Sequence, residues 1–335
     1  SNAVWQLAPG DKLRATIIEE LRSAGEHVSG EYLSEKLSIG RNAVWKHVVA
    51  LRELGYEIEG TTRRGYRLLS TPDIPLPWEV TRGLTTRWLG REVVYLPETG
   101  STNDVARDLA REGAPAGLLV AAGTQLAGRG RRGRSWQSPR GAGLWISLVL
   151  RPPLPPAEAP RLTLLTAVAV AAAIRKDTSL EALVKWPNDV LVNGRKVCGI
   201  LVEMKAESEL IHHLVVGIGV NVNLRVAQLP SEVQPRATSL LEELGQPICC
   251  VSLLRTLLAE LEQRYEVFLQ DGPEQFMEEN RTLSAILGRE VELVGPSGRQ
   301  RGRAVSIEED GALRIRDSDG QEQVYYSGEV SLRGY

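Results

Sequence analysis

The sequence predicts an α+β chain of several domains: short helices with a hairpin, then a long mixed α/β region, then a small β-barrel. Three observations carry this. The 335 residues exceed what one hydrophobic core usually supports, so two or three domains are expected. Residues 12–69 pass from helical spacing to short alternating strands, and a proline-rich stretch follows. Beyond Leu287, short alternating runs are cut by Gly295-Pro296-Ser297-Gly298, Asp310-Gly311 and Asp319-Gly320, which are turn signals between strands.

In chain order, Leu13, Ile17 and Leu21 mark one face of a first helix. Glu31–Leu37 suits a second. Ser38-Ile39-Gly40 makes a turn, and Arg41–Leu54 reads as a third helix with Val44, Val48 and Leu51 as its buried stripe and Gly55 at its end. Tyr56–Glu59 and Tyr66–Leu69 alternate as two strands around Thr61-Thr62-Arg63-Arg64-Gly65. Ser70-Thr71-Pro72-Asp73-Ile74-Pro75-Leu76-Pro77 reads as a linker, since its prolines suit no regular element. Strands are expected at Leu118–Ala122, Leu144–Leu150, Val190–Val192, Ile200–Glu203 and Leu214–Asn221, and helices at Asn103–Glu112, Ala157–Lys176 and Val251–Gln270. The apolar, Ala-rich run Leu162–Ile174 is too short to span a bilayer and reads as a buried helix.

Composition is that of an ordinary globular protein, with 42% hydrophobic and 24% charged residues. The net charge of −2 names no partner, because opposite charges in different segments cancel. Cys198, Cys249 and Cys250 form no CxxC pair and no Cys/His cluster, which argues against structural zinc and for a reducing compartment. Ser1-Asn2-Ala3 stands in place of an initiator Met, reads as a cloning remnant and is set aside. With no signal peptide visible, a cytoplasmic protein without membrane partners is expected.

The most informative stretch is Gln125-Leu126-Ala127-Gly128-Arg129-Gly130-Arg131-Arg132-Gly133-Arg134-Ser135-Trp136. Its glycines match G-x-G-x-x-G, but that dinucleotide motif needs a helix opening at the last Gly. Here the chain runs on into the strand-like Leu144–Leu150, and the variable positions are arginines. Between Glu112 and Glu158 there is no carboxylate, yet six arginines: Arg129, Arg131, Arg132, Arg134, Arg140 and Arg151. Such a loop suits an anion with several oxygens, which guanidinium groups bind bidentately, while the glycines let backbone approach the ligand. A merely solvated basic loop would mix both charge signs.

Three further segments are weaker alone. Lys185-Trp186-Pro187-Asn188-Asp189 holds an ammonium where it can stabilise charge on a transferring phosphoryl group, although an exposed turn lysine explains it as well. Ser101-Thr102-Asn103-Asp104 precedes a helix and is explained by capping. Gly217-Ile218-Gly219-Val220-Asn221-Val222-Asn223 places Asn side chains just past a buried strand, as a turn also would.

Together these segments closely resemble the biotin protein ligase family. The matching pieces are Ser101-Thr102-Asn103, Gly128–Gly133, Lys185–Asp189, Gly199-Ile200-Leu201-Val202-Glu203, Gly217–Asn221 and Gly328-Glu329-Val330-Ser331-Leu332-Arg333, in the family's order. Asn42-Ala43-Val44-Trp45-Lys46-His47 and Arg64-Gly65-Tyr66 resemble the winged helix-turn-helix of the bifunctional members that repress the biotin operon. The resemblance implies a winged helix-turn-helix at residues 4–70, a linker at 71–80, a class II synthetase-like catalytic domain at 81–280 and an SH3-like domain at 281–335.

It implies two steps. The biotin carboxylate attacks the α-phosphate of ATP, with Mg²⁺, giving biotinyl-5′-adenylate and pyrophosphate; a lysine of the biotin carboxyl carrier protein then takes the biotinyl group. Neither step needs an enzyme nucleophile, which suits the lack of a Ser/His or Cys/His device. Carried over by position, biotin contacts fall on Ser101, Thr102, Asn103, Gln125, Arg129, Gly130, Arg131 and Lys185, with Arg131 and Lys185 catalytic. The nucleotide side falls on Arg132, Trp136 and Asn221, and no protein metal ligands are assigned. Leu126 departs from the family pattern, which favours a polar residue there. Expected DNA contacts are Arg41, Asn42, Trp45 and Lys46 at the start of the third helix and Arg63 and Arg64 in the hairpin. Operator DNA and an adenylate-induced homodimer are expected partners. The alternatives are a ligase whose N-terminal domain regulates without binding operator, a biotin sensor without ligase activity, and a lipoate-type ligase.

Overall fold

The computed structural model describes residues 3–332. Ser1, Asn2 and Arg333, the last residue of the C-terminal motif, lie outside the described residues. The chain divides between Ile74 and Pro75 into two compact units.

The first unit holds α1 (Pro9–Ala24), α2 (Gly30–Leu37), α3 (Arg41–Glu53), β1 (Glu57–Thr61) and β2 (Gly65–Ser70). Pro9 opens α1, where its missing N–H is no loss, and Gly25 closes it in the left-handed conformation. Ser29 caps α2 by accepting the Tyr32 N–H at 3.0 Å. The stripe Val44, Val48 and Leu51 is fully buried with Ile17, Leu21 and Leu33, so the opposite face of α3 stays in solvent. β1 and β2 form an antiparallel hairpin. Val28 and Tyr66 exchange backbone hydrogen bonds of 2.7 and 2.8 Å. A Cβ on Gly65, at φ +94°, would lie 2.1 Å from the Val28 carbonyl oxygen, which accounts for glycine between Arg64 and Tyr66.

The second unit opens with α4 (Pro77–Thr81), which corrects the expected linker of residues 71–80. Pro77 stands in the first turn of this helix, a position that proline favours. Leu76 and Val80 are buried. There follow β3 (Val93–Thr99), α5 (Thr102–Arg111), β4 (Leu119–Gln125), β5 (Gly143–Leu150), α6 (Ala159–Asp177), β6 (Leu183–Lys185), β7 (Asp189–Val192), β8 (Arg195–Glu207) and β9 (Leu210–Asn221). These strands make one seven-stranded sheet ordered β3-β4-β5-β9-β8-β7-β6. Only β3 and β4 run parallel, joined by α5 as crossover. β3 escaped the sequence reading because Pro97 interrupts it; proline is tolerated there because β3 is an edge.

The helices α7 (Leu240–Leu244), α8 (Cys250–Asp271) and α9 (Glu274–Thr282) come next. Buried residues of α6, among them Leu165, Val168 and Ile174, enter the core with Leu254, Leu258 and Leu261 of α8. The strands β10 (Glu290–Gly295), β11 (Gly298–Ile307), β12 (Leu313–Arg316), β13 (Glu322–Tyr325) and β14 (Glu329–Leu332) form the small SH3-like antiparallel sheet, in which β14 returns to pair with β10. Val291, Leu293, Ile307, Leu313 and Val330 belong to the same apolar cluster as Leu164 and Val170 of α6. The segments expected as catalytic domain, 81–280, and barrel, 281–335, therefore share one core within the second unit.

Candidate active site

The start of α5 brings Ser101, Thr102 and Asn103 into the interior, each about 95% or more buried. Capping does not explain Ser101, whose side chain makes no cap hydrogen bond. The Thr102 N–H donates to Gln125 Oε1 at 2.9 Å, and Gln125 Nε2 donates to Ser138 Oγ at 2.8 Å. Ser147 Oγ on β5 lies 2.5 Å from Asn103 Oδ1 and 2.7 Å from Thr102 Oγ1. Asn103 Nδ2 donates to Glu203 Oε1 at 2.8 Å. The result is a polar floor whose members orient one another. Glycine at 217 is part of it: a Cβ there would fall 2.4 Å from Asn103 Oδ1.

The arginine loop is free of acids in sequence but not in space. Arg129 reaches Asp104 Oδ1 at 2.8 Å and Glu203 Oε1 at 2.9 Å. Burial works against its charge, yet these carboxylates hold it above the usual guanidinium range. Arg131 is placed differently. Its Nη1 donates to Asn188 Oδ1 at 3.2 Å and to the Gly328 carbonyl at 3.3 Å, both neutral acceptors. Burial first, and then Arg132, pulls Arg131 below its usual range, so an anion beside it would relieve a strained cation. Arg132 sits at φ +57° and donates to the Val294 carbonyl at 3.0 Å. Arg134 makes a bidentate pair with Glu329 of β14. Burial pushes the Glu329 carboxyl up, but Arg134 outweighs it and holds that group low.

Lys185 ends β6 and Asp189 begins β7, with a cis Trp186–Pro187 peptide between them. Trp186 is buried and donates through Nε1 to the Gly311 carbonyl at 2.8 Å, anchoring this turn to the barrel. Asn188 Nδ2 donates to the Ile200 carbonyl at 2.9 Å. These contacts fix the lysine, whose Nζ stands 3.6 Å from Asp189 Oδ2. The exposed-turn alternative fails, since the Lys185 side chain is only 20% exposed.

Trp136 packs against β8 and β9 at Gly199 and Gly219. A Cβ on Gly219 would come 2.4 Å from its Nε1, and one on Gly199 would come 3.0 Å from its ring. Both glycines therefore make room for the indole. One cavity is lined by Ser101, Thr102, Asn103, Gln125, Arg129, Gly130, Arg131, Arg132, Lys185 and Trp136. A second contains Trp136, Lys185, Lys196, Asn221 and Arg236. All eight residues expected at the acid therefore share one cavity. Asn221 stands in its neighbour, with Trp136 and Lys185 lining both. Trp136 Nε1 and Asn221 Oδ1 are buried without a hydrogen-bond partner among the described residues, as donor and acceptor awaiting a ligand would be. Ser138, Ser147, Asn188, Lys196, Glu203 and Glu329 were not legible in the sequence as site residues. Asn188, Glu203 and Glu329 lay inside quoted motifs without an assigned role, and Ser138, Ser147 and Lys196 converge on the site only in three dimensions.

In the first unit, Arg41, Asn42, Trp45 and Lys46 lie on the solvent face of α3, and Arg63 and Arg64 at the tip of the hairpin are exposed. Trp45 is 51% exposed. Arg41 pairs with Glu31 at 3.0 Å, so one of the expected cations is partly neutralised. Among the described residues no cluster of three His, Cys, Asp or Glu side chains could hold a metal ion. Cys198 is fully buried, and burial pushes its thiol far up, a packing residue rather than a nucleophile.

The Biotin/lipoate A/B protein ligase family pattern matches residues 95–221, an HTH domain matches residues 14–67, and the Biotin protein ligase C terminal domain matches residues 286–333. The chain is 38% identical over 323 residues to the bifunctional ligase/repressor BirA of Bacillus subtilis, covering 96% of this chain and 98% of that one. It is 33% identical to the Escherichia coli protein of the same name, with coverages of 93% and 95%. A solved biotin protein ligase from Aquifex aeolicus, in complex with biotin and ATP, superposes with a TM-score of 0.62 at 32% identity, covering 72% of this chain and 98% of that one. With this identity sustained across nearly its whole length, the chain belongs to the biotin protein ligase family, among the bifunctional ligase/repressors.

Proposed function

We propose that this protein joins biotin to AMP and passes the biotinyl group to a lysine of a biotin carboxyl carrier protein, and that its N-terminal unit represses transcription in response. The observation that carries the reading is the pair of adjoining cavities that share Trp136 and Lys185 in their linings, one with the polar floor and Arg131, the other with Asn221. An acid in the first and a nucleotide in the second would meet at the lysine.

In the first step a carboxylate oxygen of biotin bonds to the α-phosphorus of ATP, and the bond to the pyrophosphate oxygen breaks. Lys185 and Arg131 stabilise the charge that builds at phosphorus, where fixed donors act most strongly. Ser101, Thr102, Asn103, Gln125 and Gly130 orient biotin. Arg129 serves by holding Asp104 and Glu203 together at the mouth. Trp136 and Asn221 take the adenine side, with Arg132 over the phosphates. In the second step the carrier amine attacks the carbonyl carbon, AMP leaves, and the amine proton passes to solvent. Asp189 and Glu329 are carboxylates of the first cavity already held by cations, a donor set that suits Mg²⁺ carried on the nucleotide phosphates rather than an all-protein site. That ion would neutralise phosphate charge.

The exposed faces of α3 and the hairpin tip support operator binding, with α3 in the major groove and Arg63 and Arg64 on the phosphate backbone. The mild basic excess supports paired half-sites, hence an adenylate-bound dimer acting by avidity. α6 is apolar over its length but mostly packed inside the core, and the chemistry is that of the cytoplasm.

The test is incubation with biotin, ATP, Mg²⁺ and a carrier domain, read by intact mass. The carrier should gain one biotinyl group, and lipoate should not substitute; transfer of lipoate alone would overturn the reading. Arg131→Ala should fold normally and release free biotinyl-adenylate into solution. Retention at the parent level would remove Arg131 from the site.

A further inference from the structure

Arg52 is the last arginine of α3, and its guanidinium engages the hairpin. Its Nε and Nη2 both donate to the Ile58 carbonyl of β1, at 3.0 and 2.7 Å. Gly60, further along β1, leaves space for it: a Cβ there would lie 3.1 Å from Arg52 Nη2 and 3.6 Å from the Tyr66 ring. Gly60 is not among the glycines held at positive φ, so close approach rather than backbone conformation accounts for glycine there. Gly60 pairs with Tyr66 and Thr61 with Gly65, the last rungs before the turn that carries Arg63 and Arg64. In that turn the Arg64 N–H donates to Thr61 Oγ1 at 3.0 Å, and both arginines are exposed. The hairpin is further held by the Val28–Tyr66 backbone bonds and by His27 Nε2, 3.1 Å from Glu59 Oε2. A two-stranded hairpin is barely stable alone, so such contacts decide where its tip stands.

We infer that Arg52 is a positioning residue for operator binding: it braces the hairpin against α3, so that Arg63 and Arg64 meet phosphates while the start of α3 lies in the groove. The inference rests on the operator reading proposed above. Arg52 stands about 16 Å along the helix axis from Arg41, well away from the end of α3 that meets base edges. It acts through the hairpin and not on DNA. Docking a helix and a hairpin on one duplex requires both in a single geometry. A braced hairpin holds that geometry before binding, whereas a loose one is ordered on binding, which lowers affinity.

The test uses the full chain with biotin, ATP and Mg²⁺ on a palindromic biotin-operon duplex, with binding measured by fluorescence anisotropy over a range of salt. Arg52→Ala should weaken binding on the order of tenfold and lower the slope of log K against log salt toward that of Arg63→Ala with Arg64→Ala. Added to that double variant, Arg52→Ala should change neither affinity nor slope, since the tip it positions no longer carries the charges. An Arg52 that itself contacted phosphate would remove a further ~0.9 from the slope there. One that only stabilised the fold would weaken the double variant as much as the parent. Either result overturns the inference. The hairpin is read without DNA by tryptic cleavage after Arg63 and Arg64. Arg52→Ala should speed it on the order of fivefold at equal folded fraction, as loss of about one hydrogen bond implies, and an unchanged rate overturns the inference. If Arg52→Ala melts below the assay temperature, Arg52→Lys, which keeps the charge but not both bonds, takes its place. It should lose affinity, and parental affinity overturns the inference. Failure of the parent to prefer the operator over a scrambled duplex counts instead against the operator reading, and is seen before any variant is compared.

Discussion

The surface proposed to face DNA and the candidate ligand cavity are built on opposite plans. The first draws on two short stretches, Arg41–Lys46 on one helix and Arg63–Arg64 in one hairpin turn. The second gathers side chains from Ser101 to Val330 and from both sheets of the second unit. A surface carried on one helix face needs only the periodicity of that helix, whereas a cavity needs every strand in register. Local function should therefore tolerate local change and leave the cavity untouched, and cavity function should fail by small displacements far apart in sequence.

The largest expected effect is at Lys185. Lys185→Ala should slow adenylation by on the order of 10²-fold or more, the scale of one preorganised donor, measured by single-turnover pyrophosphate release. Lys185→Arg should not rescue it, since a planar fork does not replace a compact ammonium. A near-normal rate in Lys185→Ala would sink the assignment.

Next comes Gly219, remote from the arginine loop in sequence. Gly219→Ala places a methyl where a Cβ lies 2.4 Å from Trp136 Nε1, so the indole must move. ATP affinity should fall about tenfold, a stacking contact of about 1–3 kcal/mol being impaired, while biotin affinity measured calorimetrically changes less. Equal losses for both ligands would show that Trp136 does not serve the nucleotide in particular.

Arg63→Ala with Arg64→Ala sharpens the comparison from the other side. Operator binding should weaken, and the slope of log K against log salt should shrink by about 2, near 0.9 for each lost phosphate contact. Ligation should match the parent. A ligation defect in this variant would break the separation between local surface and assembled cavity.

The smallest effect concerns His213. It is buried on β9 beside His212, and burial first, then Arg151 and His212, push it down to about 4. A histidine whose folded pKa lies below its unfolded value of about 6.5 binds fewer protons when folded. Its contribution is whole above pH 6.5 and is lost as pH falls toward 4. The Tm of the parent should drop through that window, and His213→Gln should flatten the drop. Parallel curves would assign acid sensitivity to other groups.

How far each part could be read in the sequence follows the same division. The three N-terminal helices were legible because Val44, Val48 and Leu51 repeat at helical spacing, and the hairpin strands were displaced by only one or two residues. β3 and α4 were not, because prolines that normally break elements stand at an edge strand and a helix start. In the cavity, motif order placed the expected acid contacts together. It did not distinguish Arg129, which two carboxylates hold, from Arg131, which has only neutral acceptors. Asp104 and Glu203 lie outside the acid-free stretch and reach Arg129 only through folding.

By itself, the order of amino acids determined the α+β class, the amphipathic helix faces, the turn positions and the supply of arginines, glycines and Lys185 for anion chemistry. These depend on local propensity and on periods of two or 3.6 residues. Tertiary structure alone decided that Trp136 and Lys185 line two adjoining cavities, that two carboxylates hold Arg129, and that Lys185 and Lys196 both approach Asp189. Each of these is a distance between residues far apart in the chain or on different strands. Charge interactions in a partly buried site turn on such distances within an ångström, which no spacing along the sequence specifies.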